Sequence, residues 1–411
     1  MTIEDLKNEK VGICVSGGLD SKTVTRKLAD LGVDVMCFTA DLGQPDEKNI
    51  KDVAKRMAPC GAHTVIVDLK NEMAEACFEM IKAQAMYDGG YWNSTGIARA
   101  VTVKGLLPVM KKHGCTVLAH GATGRGNDQV RFERYTNALA PEMNVYAPWR
   151  DAAMLKEFPG RTEMVEYLRK QGIQAFVGGQ KRYSTDANLA GISYEALDLE
   201  SIETPMTIVE PQMGIWPGKA PDKIEKFTVR FKNGYAVEIN GRKVSTLTAM
   251  QMANKIGGRN GIGIKNALEN RIIGTKSRGV YEAPGMELLA HCLQQLYHAT
   301  MDRTCTELFK SLSRLIAWQV YGARYFDPAT TAAFAAVDVM AKYASGVVSV
   351  GLYKGNIYFN GLRDCAASLY NEADSSMEAS KGLNPRSSQG YVEVQSVEAK
   401  SLAKAGQIRK R

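Results

Sequence analysis

Ser16-Gly-Gly-Leu-Asp-Ser-Lys-Thr-Val-Thr-Arg-Lys-Leu-Ala-Asp-Leu-Gly32 follows the short apolar run Val11-Gly-Ile-Cys-Val15, and its reading decides the fold. Five apolar residues bounded by turn formers suit a buried parallel strand. Two glycines after a serine let backbone amides turn toward an anion. A helix-period pattern follows, with Val24, Leu28 and Leu31 on one face and Gly32 as its stop. Its positive N-terminal end would add to the attraction, so strand, loop and helix together form a phosphate cradle. The loop lacks the Gly-Lys-Ser/Thr ending of an ordinary P-loop, which leaves the kind of phosphate chemistry to be decided elsewhere.

Moving outward, the alternation repeats. Val33–Phe38 carries a strand signal and 48–58 a helix signal; Thr64–Val67, the helix 70–86, a helix from about 95 and Thr116–Ala119 continue it. Such a pattern predicts an α/β fold, a parallel doubly wound sheet with helices on both faces. Ligands of these sheets bind beyond the carboxyl ends of the strands, where 16–21, 40–44 and 120–128 would lie. After about 175 the pattern changes. Phe227–Phe231 and Tyr235–Ile239 alternate around Asn233-Gly234 as a hairpin, and Val348–Tyr353 turns through Lys354-Gly355-Asn356 into Ile357–Phe359. Between them, 285–343 is rich in helix formers, broken by Gly322 and Asp327-Pro328. We divide the chain into a nucleotide-binding domain over 1–174, a mixed α+β domain over 175–385 and a tail over 386–411.

With 411 residues, 45% of them hydrophobic and 23% charged, the composition is that of an ordinary globular protein. No run of about 18 apolar residues predicts a membrane span, and MTIEDLKNEK has no secretory h-region. Eight cysteines are scattered without a CxxC pair, as in a reduced, cytoplasmic protein, and the histidines lack metal-ligand spacing. Of the net charge of +8, five come from Lys400, Lys404, Arg409, Lys410 and Arg411, in a stretch without acids. A basic end of this kind reads as a solvated tail or an oligomer contact, not as a nucleic-acid surface.

The word Ser16-Gly-Gly-Leu-Asp-Ser21 after a first strand resembles the PP-loop of ATP pyrophosphatases, which split ATP between the α and β phosphates. Further words resemble the argininosuccinate synthase family of that superfamily. They are Thr39-Ala-Asp-Leu-Gly-Gln-Pro-Asp-Glu47, His120-Gly-Ala-Thr-Gly-Arg-Gly-Asn-Asp-Gln-Val-Arg-Phe-Glu133, Tyr183-Ser-Thr-Asp-Ala-Asn188, and Glu269-Asn-Arg271 with Lys276-Ser-Arg-Gly-Val-Tyr281. They keep the family's order and extend from about residue 11 to 360. The resemblance implies a ligase that joins citrulline to aspartate with ATP and Mg²⁺, through a citrullyl-adenylate, releasing pyrophosphate and then AMP. It also implies a homotetramer in which the carboxyl end reaches neighbouring subunits.

Residue by residue, the resemblance assigns ATP to Cys14, Val15, Ser16, Gly17, Gly18, Leu19, Asp20, Ser21, Lys22 and Ala40, with Gly121, Thr123 and Asp186 on the same side. Asp20 would orient the loop or organise Mg²⁺, and the chain supplies no dedicated metal cluster. Thr123, Asn127 and Asp128 resemble the aspartate clamp: hydroxyl and amide donors suit carboxylates, and an acid suits the ammonium. Tyr91, Thr95, Arg99, Asn127, Arg131, Ser184, Ser193, Glu195, Glu269 and Tyr281 match citrulline positions. Asp20, Asp128 and Arg99 are the residues expected closest to the chemistry, which would rest on positioning and charge stabilisation. Three departures stand out: Lys22 replaces a small hydroxyl residue, Gly96 a frequent serine, and Arg259-Asn-Gly a frequent Arg-His-Gly.

Rival readings remain. A tRNA sulfurtransferase of the same superfamily would need reactive cysteines and an RNA-binding surface, which the sequence does not offer. A ligase for another ureido acid or amine keeps the same architecture, and the Gly96 departure leaves it open. A paralogue that binds nucleotide without turnover would be separated by a pyrophosphate-release assay.

Overall fold

Lys10–Cys14 (β1) lies at the centre of a parallel sheet in a computed structural model that describes residues 1–175, 182–378 and 380–409. In chain order the first part comprises β1, α1 (Leu19–Asp30), β2 (Asp34–Asp41), α2 (Lys51–Met57), β3 (Thr64–Asp68), α3 (Lys70–Ala83), α4 (Ser94–Lys112) and β4 (Val117–His120). It continues with α5 (Asp128–Leu139), β5 (Asn144–Tyr146), α6 (Ala152–Glu157) and α7 (Arg161–Lys170). The strand order is β3-β2-β1-β4-β5, all parallel. Sequence order therefore reverses between β1 and β4, and the loops that follow these two strands part to leave a crevice.

Both faces of the sheet are covered because its strands alternate apolar residues to either side. Val11, Ile13 and Val15 pack into one core with Val24 and Leu28 of α1 and Leu168 of α7. Phe38 and Leu118 belong to the other core, with Met73 of α3 and Ile97 and Met110 of α4. The helix expected after the glycine loop is α1, but Leu31 does not share its buried face. It caps the helix, is 45% exposed, and hands on to Gly32 at φ +73°. A left-handed residue there ends the helix before a further turn brings Leu31 round to the core. The helix expected over 70–86 stops at Ala83 for a similar reason, with Gln84 left-handed.

The rest of the first compact unit, which runs from Met1 to Ala366, contains β6 (Ser184–Asn188), β7 (Gly191–Glu195), β8 (Glu225–Lys232), β9 (Tyr235–Ile239), β10 (Arg242–Lys243) and α8 (Thr246–Arg259). It also holds β11 (Ile264–Asn270), β12 (Lys276–Glu282), α9 (Pro284–Thr300), α10 (Arg303–Tyr321), α11 (Pro328–Ala341), β13 (Gly346–Tyr353) and β14 (Asn356–Arg363). One antiparallel sheet has the order β10-β9-β8-β13-β14. Both hairpins read from the sequence lie in it. Asn233 and Gly234 turn the first with positive φ at both positions, the geometry that matches strand twist. The second turns on two residues, Lys354 and Gly355, where three had been expected.

A second antiparallel sheet, β11-β12-β7-β6, walls the crevice. Sequence patterning does not announce it. Ser184-Thr-Asp-Ala-Asn188 is almost wholly polar, so the period-2 apolar signal is missing where the sheet faces the site.

The second unit, Ala367–Arg411, contains α12 (Glu372–Ser375) and α13 (Ser387–Lys404). The latter buries none of its side chains, leaving Tyr391, Val392, Val394 and Val397 exposed. Lys410 and Arg411 of the basic end lie outside the described residues.

Candidate active site

The glycine loop closes on itself before α1 begins. Ser16 N–H donates to Ser21 Oγ at 3.2 Å, and Thr39 Oγ1 donates to Val15 O at 2.9 Å, tying the loop to the neighbouring strand. Gly17 is left-handed at φ +75°, and a Cβ there would come within 2.8 Å of Arg56 Nε. Arg56 is in turn ion-paired to Glu47, from the loop after β2. Gly18 precedes α1 with no side-chain cap, so the first-turn amides stay available to an anion. These elements open on a cavity of about 370 Å³, lined by Cys14, Val15, Ser16, Gly18, Asp20, Ser21, Ala40, Gly121 and Asp186 among others. All three stretches expected at the strand ends contribute to it.

Three residues of the stretch from Cys14 to Lys22 do not line this cavity. Gly17 backs onto Arg56, Leu19 joins the core, and Lys22 is 2% exposed with Nζ donating to Gln174 O at 2.7 Å. Asp20 does line it. Burial raises its carboxyl above the ordinary range, against the pull of Arg161, and it forms no ion pair among the described residues. No group of three metal-ligating side chains is present among the described residues. One free-facing carboxyl beside a phosphate loop suits Mg²⁺, which keeps waters and takes one or two carboxylates plus substrate phosphates.

The opposite wall is ionic. Arg99 of α4 donates through Nε to Asp128 Oδ2 at 2.9 Å and through Nη2 to Asp186 Oδ2 at 2.6 Å. Arg131 Nη1 grips the other oxygen of Asp128 at 2.8 Å. Burial alone would raise Asp128, but the two guanidiniums, Arg99 foremost, outweigh it and hold the carboxyl below its ordinary range. Three elements distant in sequence (α4, α5 and β6) are thereby fastened together. His120, at the end of β4, stacks on Phe132 and accepts the Ala122 N–H at Nδ1. Burial, then Arg150, lowers its pKa to about 4, so it is neutral at physiological pH.

Beyond this wall some of the residues expected around citrulline form a tyrosine cluster about Glu269. Tyr281 Oη donates to Glu269 Oε2 at 3.0 Å, and Tyr321 Oη to Oε1 at 2.8 Å. Tyr91 stacks on Tyr281 at 4.0 Å and accepts the Thr95 N–H, one of the open donors at the start of α4. Thr95 Oγ1 lies 3.4 Å from Ser193 Oγ. Asn127 donates through Nδ2 to Tyr321 Oη at 2.8 Å and accepts Ile272 N–H at Oδ1. Thr123 stands exposed on the loop after β4. Tyr183 packs against Tyr194. Tyr87 and Tyr321 belong to the cluster although no motif word contains them. The one signal for Tyr321 was its place directly before Gly322, at the end of a helical run.

Ser184 and Glu195 face each other across β6 and β7. Glu195 keeps a solvent-exposed edge, yet the protein around it strips much of its hydration. With the carboxylates of Asp128, Asp186 and Glu269 nearby, it is pushed up to about 7. Between pH 4.5, its ordinary value, and pH 7 the folded chain keeps a proton that the unfolded chain has lost. Stability contributed by this group therefore declines as pH rises through that window. Glu195→Gln is expected to melt above the parent at pH 8 and to match it below about pH 4.5, as a thermal-melt series against pH would record.

Comparison with known proteins gives the family. Residues 10–174 match the family model described as the arginosuccinate synthase N-terminal HUP domain, and residues 183–402 match that of the C-terminal domain. The argininosuccinate synthase of Rhodopirellula baltica is 37% identical over 386 residues, covering 93% of this chain and 95% of that protein. That of Aliarcobacter butzleri is 36% identical over 413 residues, covering 96% of each. A Thermotoga synthase is 36% identical over 410 residues, covering 97% of this chain and 99% of its own. With both family models matched in order, and relatives aligned over nearly the whole length, this chain belongs to the argininosuccinate synthase family.

Proposed function

We propose that this chain is a C–N bond-forming ligase of arginine biosynthesis. It joins L-citrulline to L-aspartate at the expense of ATP, which leaves as AMP and pyrophosphate. The observation that carries the reading is the facing of two walls: an uncapped helix start behind a glycine loop on one side, and the Arg99–Asp128–Asp186 network on the other. Ser16, Gly18 and Ser21 hold the β and γ phosphates in a turn that Gly17 permits, with Cys14, Val15, Ala40 and Gly121 around the rest of the nucleotide. Asp20 holds a Mg²⁺ ion carried in with the triphosphate, and that ion, when bound, neutralises phosphate charge. Thr123, Asn127 and Asp128 receive aspartate. Tyr91, Thr95, Arg99, Asn127, Arg131, Ser184, Ser193, Glu195, Glu269 and Tyr281 receive citrulline, so Asn127 serves both amino acids.

With the outer phosphates gripped, the α-phosphorus is the one left open to attack. The ureido oxygen bonds to it and the bond to pyrophosphate breaks; the aspartate amine then attacks the ureido carbon, loses its proton, and AMP departs with the oxygen. This sequence needs orientation more than acid–base strength. It is tested with citrulline carrying oxygen-18 in the ureido group. The label is expected in AMP and not in pyrophosphate. Label in inorganic phosphate, or ADP as product, would overturn the adenylation. Offering other amino acids in place of aspartate tests the nucleophile.

The assembly is proposed to be a cytoplasmic homotetramer that binds neither membrane nor nucleic acid. Among the described residues no helix is long and apolar enough to cross a membrane. Support for the oligomer comes from α13, whose exposed Tyr391, Val394 and Val397 recur at every third residue as an apolar stripe that a lone helix would not keep in water. Removing 386–411 is expected to lower the mass seen by light scattering from that of a tetramer, and an unchanged mass would discard this role for the tail.

A further inference from the structure

The residues assigned above to aspartate and to citrulline meet at a side chain that belongs to neither set. Tyr321, the last residue of α10, is 3% exposed. The carboxylate of Glu269 can only accept, so the Tyr321 hydroxyl proton points to Glu269 Oε1 at 2.8 Å. Its oxygen is then left to accept the Asn127 amide N–H at 2.8 Å. Asn127 Oδ1 in turn accepts the Ile272 N–H at 3.0 Å, which sets the orientation of the amide. One directed line of donors thus runs from the backbone at Ile272 through Asn127 and Tyr321 to Glu269, and each bond polarises the next.

The main chain of the same residue takes part. Tyr321 O accepts Arg131 Nη2 at 3.1 Å and Nε at 3.3 Å, while Arg131 Nη1 holds Asp128. The ring is fixed on several sides: Tyr87 stacks on it at 3.8 Å, Tyr91 meets it edge-on at 6.5 Å, and the Arg131 guanidinium lies 5.1 Å from its centroid. Gly96 explains how α10 comes this close. A Cβ at that position would stand 3.3 Å from Val320 O, so a serine there would press on the residue before Tyr321.

We propose that Tyr321 is a positioning residue whose hydroxyl couples the two amino-acid subsites, holding Asn127 for aspartate and Glu269 for citrulline in a single hydrogen-bonded line. The inference rests on the function proposed above. Aspartate must reach a carbon that citrulline presents, so the two ligands have to be held in register with each other. A shared hydroxyl between their holders does this, whereas two independent sites would let each drift.

The test is Tyr321→Phe, which keeps the ring and its stacking and removes only the oxygen. The Michaelis constants for citrulline and for aspartate are each expected to rise about tenfold, as for loss of one hydrogen bond to a charged group, with that for ATP unchanged. The discriminating measurement is the pair of variants. In an Asn127→Ala background, Tyr321→Phe should raise the citrulline constant as before but add nothing to that for aspartate, because its route to aspartate is already cut. Where turnover is too slow, calorimetric binding of each amino acid gives the same comparison. Unchanged constants in Tyr321→Phe overturn the proposal, as do a full additional rise for aspartate in the double variant, or an equal rise for ATP with a lowered melting temperature. A parent enzyme that makes no AMP from these substrates would instead overturn the function on which the inference rests.

Discussion

Replacing Arg99 by leucine is expected to lower unfolding stability at pH 7 by about 3 kcal/mol, the lower end of the cost of breaking a buried ion pair by removing one partner. Among the described residues the guanidinium is the sole link between Asp128 of α5 and Asp186 of β6, and its loss leaves two carboxylates facing each other across the crevice. The destabilisation should depend on pH in a stated direction. Arg99 and Arg131 hold Asp128 below its ordinary range, so its contribution is complete above about pH 4 and is lost as pH falls through the folded value. Urea unfolding should therefore show a wide gap between parent and variant at pH 7 that narrows below about pH 4. Equal midpoints at pH 7, or a gap that persists in acid, would remove Arg99 from this role. Loss of turnover is expected alongside, since α4, α5 and the β11-β12-β7-β6 sheet would no longer be fastened at the site.

A second large effect is expected at Gly17, this time on catalysis with little cost in stability. Gly17→Ala places a Cβ 2.8 Å from Arg56 Nε in a backbone conformation that costs an L-residue roughly 1–2 kcal/mol. Either the loop shifts or Arg56 leaves Glu47; both move the amides proposed to hold the phosphates. A displacement of about 1 Å in positioning groups costs on the order of 100-fold in rate, and kcat/KM for ATP should fall by that order. The fold should remain intact, with thermal unfolding cooperative and close to the parent's. Activity within threefold of the parent would show that the loop tolerates the side chain and that its geometry is not what holds the nucleotide.

How far the sequence could be read differs between the two halves of the chain. β1, β2 and β4 are each visible because a strand buried on both faces is a continuous apolar run, half-buried β3 because Val65-Ile-Val67 is apolar too, and the glycine loop because only certain residues make that turn. β5, three residues long, offers too short a run to notice. The first strand of the β11-β12-β7-β6 sheet was hidden for a different reason. β6 lines the cavity and is almost wholly polar, so the pattern that marks a strand is missing there. Lys22 shows the same limit on a single side chain. Its position next to the loop word suggests a charge near phosphate, while in the folded chain its amine is drawn to Gln174 O.

Local chemistry that depends on neighbours in the chain was determined by the sequence alone: the glycine turn, the uncapped start of α1, the parallel α/β core, and the words by which family membership is legible. What only the tertiary structure decided is which distant groups meet. Asp128 pairs with Arg99, 29 residues away, and Asn127 reaches Glu269 through Tyr321, 194 residues further on. Hydrogen bonds and ion pairs of this kind carry no period and no spacing. They form because β1 and β4 part at the reversal of strand order and the end of α10 meets α5 beside the gap, so that polar side chains largely withdrawn from solvent satisfy one another.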